Sequence, residues 1–344
     1  MGKRAQGVHH ATKLSKQLGG SLDTQYHRRL HWREFSRFCS DIGHTLARVN
    51  DAQPWMIELF IMFLVAGDMK PGTLANIRAS LAVIHAGAGQ TFALSIHSRS
   101  LKLERRDRSG KHRSLTPDEF HELVSLAGKI DEGLVHIISL MRWLGLRSRE
   151  ALMSARSLES WRDRILAGEL RLPVERGAKN ARPRETEVLP GRTAPTLAAV
   201  EAALAFAQSR NFELITGCHG DLKSAKSRLK ALFDRLPMRG ERGSHSLRYT
   251  FAQEFANSRL DQGTPPLDVL TELSDRLGHG PSRLKMILDV YCREIRHRFP
   301  AVIHLPSDFV ATTLHRKTDG MQTPAQPEHP AGTRHDFPDA CPES

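Results

Sequence analysis

Apolar residues recur at three- and four-residue steps through the first quarter of the chain, which is the spacing of an amphipathic helix. In the segment RRLHWREFSRFCSDI, one such stripe is formed by Leu30, Phe35, Phe38, Cys39 and Ile42. A second helix is predicted over about 55–66, and a third follows the break at Lys70-Pro71-Gly72. The pattern predicts a small all-α domain in this part of the chain.

A charged segment and a new helix start separate this region from the rest. Residues 98–114 (SRSLKLERRDRSGKHRS) have no apolar period, so we interpret them as an interdomain linker. The next residues, Thr116-Pro117-Asp118-Glu119, combine an N-cap threonine, a proline at the first helical position and a glutamate at the third. Because these features form a capping box, a second domain is predicted to begin near this point.

Strand-like alternation replaces helical spacing in the middle of the chain. Within residues 170–189, the segments LRLPV and EVL flank a polar turn, RGAKNARP, which predicts a β-hairpin. Helical patterns resume at about 196–210 and continue to about 298. The sequence therefore predicts a mainly α fold with a small β-sheet (α+β).

Positive charge is concentrated near the N-terminus. The 344-residue chain has a net charge of +12, and residues 1–114 hold 18 Lys and Arg against 8 Asp and Glu. This distribution suits a surface that grips a polyanion, although a solvated basic surface that binds nothing anionic would look the same. No apolar run approaches the ~20 residues of a spanning helix, so we expect no membrane partner.

The cysteines and the N-terminus indicate the cellular setting. The four cysteines lie far apart with no CxxC spacing, which favours neither a disulfide framework nor a zinc site. The basic N-terminus lacks the apolar segment of a secretory signal. No phosphate-binding loop or metal-ligand cluster is visible. We therefore expect a cytoplasmic protein without metal or other cofactor.

Several separated motifs carry polar side chains suited to chemistry. In chain order these side chains are Arg147 in GLRSRE, Lys179 in the predicted turn, His245 and Arg248 in HSLR, His279 in LGH, and Tyr291. Each has a structural alternative when it is taken alone. Arg147 could pair with Glu150, His245 could begin a helix, His279 could end one, and Tyr291 could be a half-buried helical tyrosine.

Taken together, the motifs resemble those of the tyrosine recombinase (phage integrase) family. GLRSREAL resembles the family's GLRxxEL, HSLRYTFA its HxLRHTFA, and LGHG with a later helical tyrosine its LGH…Y. The order and the intervening lysine-bearing hairpin also agree. The resemblance covers about residues 115–300 and, more weakly, the N-terminal helices.

The resemblance gives each segment of the chain an expected role. Residues 1–21 are basic and contain several glycines, and we interpret them as a flexible arm. Residues 22–97 correspond to an α-helical core DNA-binding domain, 98–114 to the linker and 115–304 to the catalytic domain. Residues 305–344 are predicted to be a largely disordered tail, because the part from Thr318 onwards holds five prolines among polar residues.

The residue types fit cleavage of a phosphodiester. Arg147 and Arg248 can bind the non-bridging oxygens, because planar guanidinium groups match phosphate bidentately. Lys179 is the expected general acid for the leaving 5′ oxygen, although Arg176, Arg182 and Arg184 lie close to it in sequence. His245 is the candidate base or proton relay, and His279 a hydrogen-bond partner of the phosphate.

The nucleophile can be chosen by elimination, since the chain has three tyrosines. Tyr26 lies in the N-terminal helical region, and Tyr249 follows Arg248 where the family usually has histidine. Tyr249 is therefore interpreted as a packing or supporting residue, which leaves Tyr291. One departure is the twelve-residue step from His279 to Tyr291, about three longer than the family's usual spacing. An extra helical turn of ~3.6 residues could absorb it.

The resemblance implies a site-specific recombinase or integrase that cleaves and rejoins DNA through a covalent 3′-phosphotyrosyl intermediate, without metal or ATP. Double-stranded DNA is the expected partner, bound by a homo-oligomer that is a dimer at each site and a tetramer at synapsis. The apolar segment 300–314 could dock on a neighbouring protomer or pack on its own domain. Two alternatives stay open: a catalytically inactive DNA-binding protein of this fold, which the altered spacing favours, and a type IB topoisomerase-like enzyme.

Overall fold

The computed structural model describes residues 2–90, 111–178, 183–280 and 283–303. These residues divide into two compact units, one before and one after the gap that follows residue 90. Each unit has its own hydrophobic core. Helices dominate both units, as the sequence predicts.

The N-terminal unit is built from helices only. Its α-helices are α1 (Lys3–Gln17), α2 (Leu22–Asp41), α3 (Pro54–Ala66) and α4 (Pro71–Gly87), with a 3-10 turn at Val49–Asp51. The predicted stripe on α2 faces the core through Phe35 and Cys39, whereas Ile42 at the end of the helix is exposed. Trp32 is fully buried beside them and packs edge-on against Phe35.

The segment predicted to be a flexible arm is instead the packed helix α1. Its contact face is made of small residues, Gly7, Ala11 and Ser15, all of which are buried. A Cβ on Gly7 would overlap the backbone carbonyl of Leu46, so the helix lies directly against the chain there. Small residues allow close approach without producing a strong apolar pattern, and this is why the interpretation as an arm was wrong.

The C-terminal unit is also mainly helical. Its α-helices are α5 (Pro117–Gly128), α6 (Glu132–Leu144), α7 (Ser148–Met153), α8 (Leu158–Leu166), α9 (Thr193–Gln208), α10 (Leu222–Asp234), α11 (His245–Asp261), α12 (Pro266–Arg276), α13 (Leu284–Met286) and α14 (Pro300–Ile303). Short 3-10 segments occupy Ala155–Ser157 and Arg293–Arg298, and Ile287–Tyr291 is a π-helical turn. The predicted capping box is present, since Thr116 Oγ1 accepts from the Glu119 amide.

The predicted hairpin is a two-stranded antiparallel sheet. Strand β1 (Arg171–Val174) pairs with β2 (Arg184–Glu187), with Leu172 opposite Thr186 and Val174 opposite Arg184. Arg184 and Thr186 point to the protein interior, where Thr186 donates to the carbonyl of Leu144 at the end of α6. The hairpin is therefore anchored to the helix that precedes the first arginine motif.

The C-terminal end of the described chain packs on its own unit. Val302 of α14 is partly buried against the core formed by α11 and α12. Residues 304–314 of the predicted docking segment and the rest of the predicted disordered tail lie outside the described residues, as does most of the predicted linker. No helix in the described parts of the chain is both long and apolar enough to cross a membrane.

Gly145 ends α6 and turns the chain towards Arg147. Its φ of 57° lies in the left-handed region, and a Cβ there would overlap the ring of Phe251. We expect Gly145→Ala to destabilise the protein by about 2–4 kcal/mol through backbone strain and crowding. Gly168→Ala is the matched control, because Gly168 has a φ of 80° and open space around it, and should cost about 1 kcal/mol. Urea unfolding of both variants measures the difference; equal costs would contradict the described contact.

Candidate active site

The motif side chains come from the ends of four helical segments. Arg147 is the N-cap residue of α7, directly after the left-handed Gly145 and Leu146. His245 and Arg248 lie in the first turn of α11, and His279 follows the end of α12. Tyr291 is the last residue of the π-helical turn. Helix ends leave side chains free to converge, and Arg147, Arg248, His279 and Tyr291 do so.

Tyr291 points its hydroxyl at two of the predicted partners. The oxygen lies 3.2 Å from His279 Nε2 and accepts from Arg248 Nε at 3.4 Å. The side chain is 7% exposed, and its ring packs on that of Tyr249 with centroids 4.8 Å apart. The phenol oxygen is therefore held between an imidazole and a guanidinium.

Arg248 is fully buried and fixed by backbone carbonyls. Its Nη1 donates to the carbonyl of Gly145 and its Nη2 to that of Leu277. Burial lowers its pKa to about 10, and the positive charges of Arg184 and Arg147 contribute to this lowering while Tyr291 opposes it. The side chain thus remains a cation at neutral pH, held rigidly in a site with an excess of positive charge.

Arg147 shares these acceptors and is tied to Glu150. Its Nη2 donates to the carbonyl of Leu277 at 2.8 Å, and its Nη1 donates to Glu150 Oε1 at 2.5 Å. Glu150 also accepts from the Arg147 backbone amide at 2.7 Å. The ion pair considered as an alternative for Arg147 therefore exists, and it orients the guanidinium towards the carbonyl that also holds Arg248.

Glu150 is the centre of a buried cluster of charges. It is inaccessible to solvent and lies within ion-pair distance of Arg147, Arg184 and Arg248. Burial alone would raise the pKa of its carboxyl group, but the arginines, Arg184 first, hold that pKa at about 2. One carboxylate faces three guanidinium groups, so the cluster is suited to a bound anion.

His245 lies at the start of α11, apart from the phenol. Among the described residues, no hydrogen bond joins His245 to Tyr291, and its ring instead stacks on that of His112 with centroids 6.0 Å apart. Loss of hydration lowers the pKa of His245 to about 4, and the positive charges of Arg248, His112 and Arg147 contribute. His245 as a whole residue is nevertheless exposed, so a bound phosphate could contact it and its negative charge would offset those positive charges.

Lys179 lies outside the described residues, as does Arg182. The structure does place the other two basic residues that could substitute for it. Arg176 is exposed beside the turn, whereas Arg184 is buried in its ion pair with Glu150. Arg184 therefore has a different role from a mobile side chain at the tip of a hairpin.

The long step between His279 and Tyr291 is absorbed in a way that the sequence did not indicate. An extra helical turn was expected, and the structure has the short helix α13 followed by the π-helical turn. The Cys292 amide donates to the carbonyl of Ile287, five residues earlier, at 3.0 Å. The wider π winding places one more residue in the turn and brings the phenol to His279.

Two contributors to this site were not identified from sequence. His112, which belongs to the predicted linker, accepts from the Gly243 amide at 3.3 Å and packs edge-on against Tyr249. Arg184 was considered only as an alternative to Lys179. Neither residue belongs to a motif, and their contacts are far apart in sequence.

The described residues contain no group of three or more His, Cys, Asp or Glu side chains that could hold a metal ion.

The chain is similar to known proteins in part of its sequence and in its fold. Residues 102–254 match the family model of integrases, a span that ends before His279 and Tyr291. A variant of the Tn1549 transposon integrase in complex with a circular intermediate DNA aligns with 90% of this chain and 99% of its own, at 13% identity and a TM-score of 0.51. A lambda integrase tetramer bound to a Holliday junction aligns with 79% of this chain and 76% of its own, at 15% identity and a TM-score of 0.48. No curated protein sequence matches the chain.

The family match and the fold are both consistent with the order of the motifs. Residues 102–254, less than half of the chain, match the integrase family model, and the fold is similar to that of the Tn1549 transposon integrase. The predicted fold class, a mainly α protein with a small sheet, is confirmed.

The charge cluster makes stability depend on pH. The folded-state pKa of Glu150, about 2, lies below the ordinary 4.5, so the carboxylate stabilises the fold fully above pH 4.5 and loses this contribution as the pH falls towards 2. The difference corresponds to a loss on the order of 3 kcal/mol. Urea unfolding between pH 5 and pH 3 should show wild type losing more stability than Glu150→Gln. Parallel losses in both proteins would show that the carboxylate is not paired as described.

Proposed function

We propose that Tyr291 attacks the scissile phosphate of duplex DNA and becomes linked to its 3′ side. The phenol oxygen forms a bond to phosphorus while the bond from phosphorus to the 5′ oxygen breaks. The observation that carries this proposal is the position of the Tyr291 hydroxyl, which contacts both Arg248 and His279. A phenol needs such neighbours, because its ordinary pKa of ~10 leaves it protonated at neutral pH.

The two arginines stabilise the charge of the pentavalent transition state. Arg147 and Arg248 donate to the same carbonyl, that of Leu277, so their guanidinium groups lie side by side. Fixed donors in a site with little water lower the barrier because they need not reorganise as charge develops. When the scissile phosphate binds, its oxygens would replace the Leu277 carbonyl as acceptors for Arg147 and Arg248.

The contacts favour His279, rather than His245, as the group that receives the phenol proton. His279 Nε2 is at hydrogen-bond distance from the Tyr291 oxygen, whereas the His245 ring stacks on the ring of His112. A neutral His279 can accept the proton while Arg248 stabilises the phenolate. His245 then serves as a donor to the phosphate. Lys179 stays the predicted general acid, giving its proton to the leaving 5′ oxygen.

Rejoining reverses this chemistry with a different strand. A 5′-hydroxyl from the partner duplex attacks phosphorus, the bond to Tyr291 breaks, and the phenol recovers its proton. The energy of the phosphodiester is kept in the covalent link, so neither ATP nor metal is required. On the basis of the resemblance to the tyrosine recombinase family, we propose site-specific recombination as the activity, duplex DNA as partner, a dimer at each site and a tetramer at synapsis. The cytoplasmic location stays a prediction.

Covalent capture tests the proposed activity on DNA of any sequence. Wild-type protein is incubated with a library of nicked duplexes of random sequence in EDTA, and complexes that survive SDS are recovered and sequenced. We expect adducts that carry protein on a 3′ phosphate and release strands with a 5′-hydroxyl. No adduct under any condition, or an adduct that requires Mg²⁺, would overturn the proposal.

The same assay separates the two alternatives. A catalytically inactive DNA-binding protein gives sequence-selective retention without an SDS-stable adduct. A topoisomerase-like enzyme gives adducts but relaxes supercoiled plasmid that lacks the captured site. The twelve-residue step from His279 to Tyr291 was the reason for considering the inactive alternative. It no longer favours that alternative, because the two side chains are in contact.

A further inference from the structure

We infer that Arg184 is a positioning residue for the strand-cleavage reaction, which rests on the function proposed above. Arg184 lies on β2, outside every motif identified from sequence, and its side chain is 4% exposed. It does not contact Tyr291 in the described hydrogen-bond network. Its influence on the reaction must therefore pass through the groups that it holds.

Arg184 joins the three chain segments that hold the catalytic arginines. Its Nη2 donates to Glu150 Oε2 at 2.6 Å, and Glu150 orients Arg147. Its Nη2 also approaches the carbonyl of Gly145, the acceptor of Arg248, at 3.4 Å. Its Nη1 donates to the carbonyl of Arg276, immediately before the Leu277 carbonyl that accepts from both catalytic arginines.

The chain makes room for this side chain at the end of α12. Gly278 has a φ of 64°, and a Cβ there would lie 2.6 Å from Arg184 Cδ. The glycine of the LGH motif thus lets Arg184 pass beneath the turn that carries His279. The hairpin is linked in this way to the turn that presents a proton acceptor to the nucleophile.

Arg184 also controls where the charge of Glu150 acts. With Arg184 in place, Glu150 makes its strongest contacts with Arg184 and Arg147, while Arg248 Nη1 stays 3.8 Å away. Without Arg184, a buried carboxylate would be left with fewer donors, and the cost of an under-paired buried charge would draw Arg248 towards it. Arg248 would then be withdrawn from Tyr291 and from the phosphate.

Single-turnover adduct formation on the captured DNA site tests this inference. Arg184→Met removes the charge while keeping a long apolar side chain, and we expect the cleavage rate to fall about 10- to 100-fold, as is common when a group behind a reactive residue is lost. The dissociation constant for DNA should change less than about threefold, because phosphate contacts elsewhere dominate binding. Arg184→Lys keeps the charge and should recover most of the rate.

A double variant distinguishes positioning from general structural support. In Arg184→Met with Glu150→Gln the stray carboxylate is gone, so the rate should rise at least about fivefold above that of Arg184→Met alone. If Arg184 only supports the fold, the second buried substitution should lower the rate further. That outcome would overturn the inference, as would a wild-type rate in Arg184→Met.

Arg142→Met is the matched control for loss of a buried ion pair. Arg142 is buried in the same unit and binds Glu254 bidentately at 2.7 and 2.9 Å, away from the site. We expect it to lower the melting temperature much as Arg184→Met does, with a cleavage rate within about threefold of wild type. An equal loss of rate in both variants would also count against positioning. If wild type itself forms no adduct, it is the proposed function that fails.

Discussion

Replacing Tyr291 with phenylalanine should abolish covalent attachment to DNA, with a loss of rate of at least roughly 10⁴-fold. The substitution removes the attacking oxygen and keeps the ring that packs on Tyr249. DNA binding and the melting temperature should change little. Single-turnover formation of the SDS-stable adduct measures the loss, and a filter-binding titration measures affinity.

Tyr249→Phe is the control for this experiment. It makes the same chemical change on the neighbouring ring, which is 5% exposed and belongs to the core formed by α11 and α12. Its adduct should form within about threefold of the wild-type rate, since only packing is altered. If the adduct persists in Tyr291→Phe and disappears in Tyr249→Phe, Tyr249 is the nucleophile and the proposed role of Tyr291 is wrong.

Replacing Arg248 with lysine should slow adduct formation by about 10²–10³-fold. Lysine keeps one positive charge but loses the planar group that reaches Gly145, Leu277 and Tyr291 at once. The reaction therefore loses both a donor to the transition state and a donor to the phenolate. Raising the pH should not restore the rate, because the lysine is already charged at neutral pH and a higher pH can only remove that charge.

Arg259→Lys provides the comparison on the same helix. Arg259 pairs with Glu187 at 2.5 Å and Glu272 at 3.1 Å, both outside the site. Its substitution should alter stability slightly and leave the cleavage rate within about threefold of wild type. Comparable losses at both positions would mean that Arg248 acts through the stability of α11 alone.

The sequence was informative wherever a feature depends on local residues. The capping box at Thr116, the alternation around the hairpin and the helix carrying His245 and Arg248 are each specified within a few residues. Tyr291 could be named as the candidate nucleophile because the chain has few tyrosines, and this stays a prediction. The motif order then predicted a shared site, and the structure brings Arg147, Arg248, His279 and Tyr291 into one hydrogen-bonded network.

Features that depend on distant contacts could not be predicted in this way. Arg184 looks like one basic residue among several, and only its contact with Glu150, 34 residues away, gives it a role. Helix α1 packs through small side chains, which produce no apolar stripe. The contact of His279, rather than His245, with the phenol of Tyr291 depends on the π-helical turn, which the sequence pattern does not indicate.

A methylphosphonate at the scissile position tests most directly whether the arginines act on the phosphate. It replaces one charged non-bridging oxygen with a neutral methyl group, so less charge needs stabilisation. On the captured site with a normal phosphate, Arg147→Ala and Arg248→Ala should each lose at least about 10²-fold in rate. On the methylphosphonate these losses should shrink to about tenfold or less. Equal losses on both substrates would show that the guanidinium groups do not converge on the phosphorus that Tyr291 attacks.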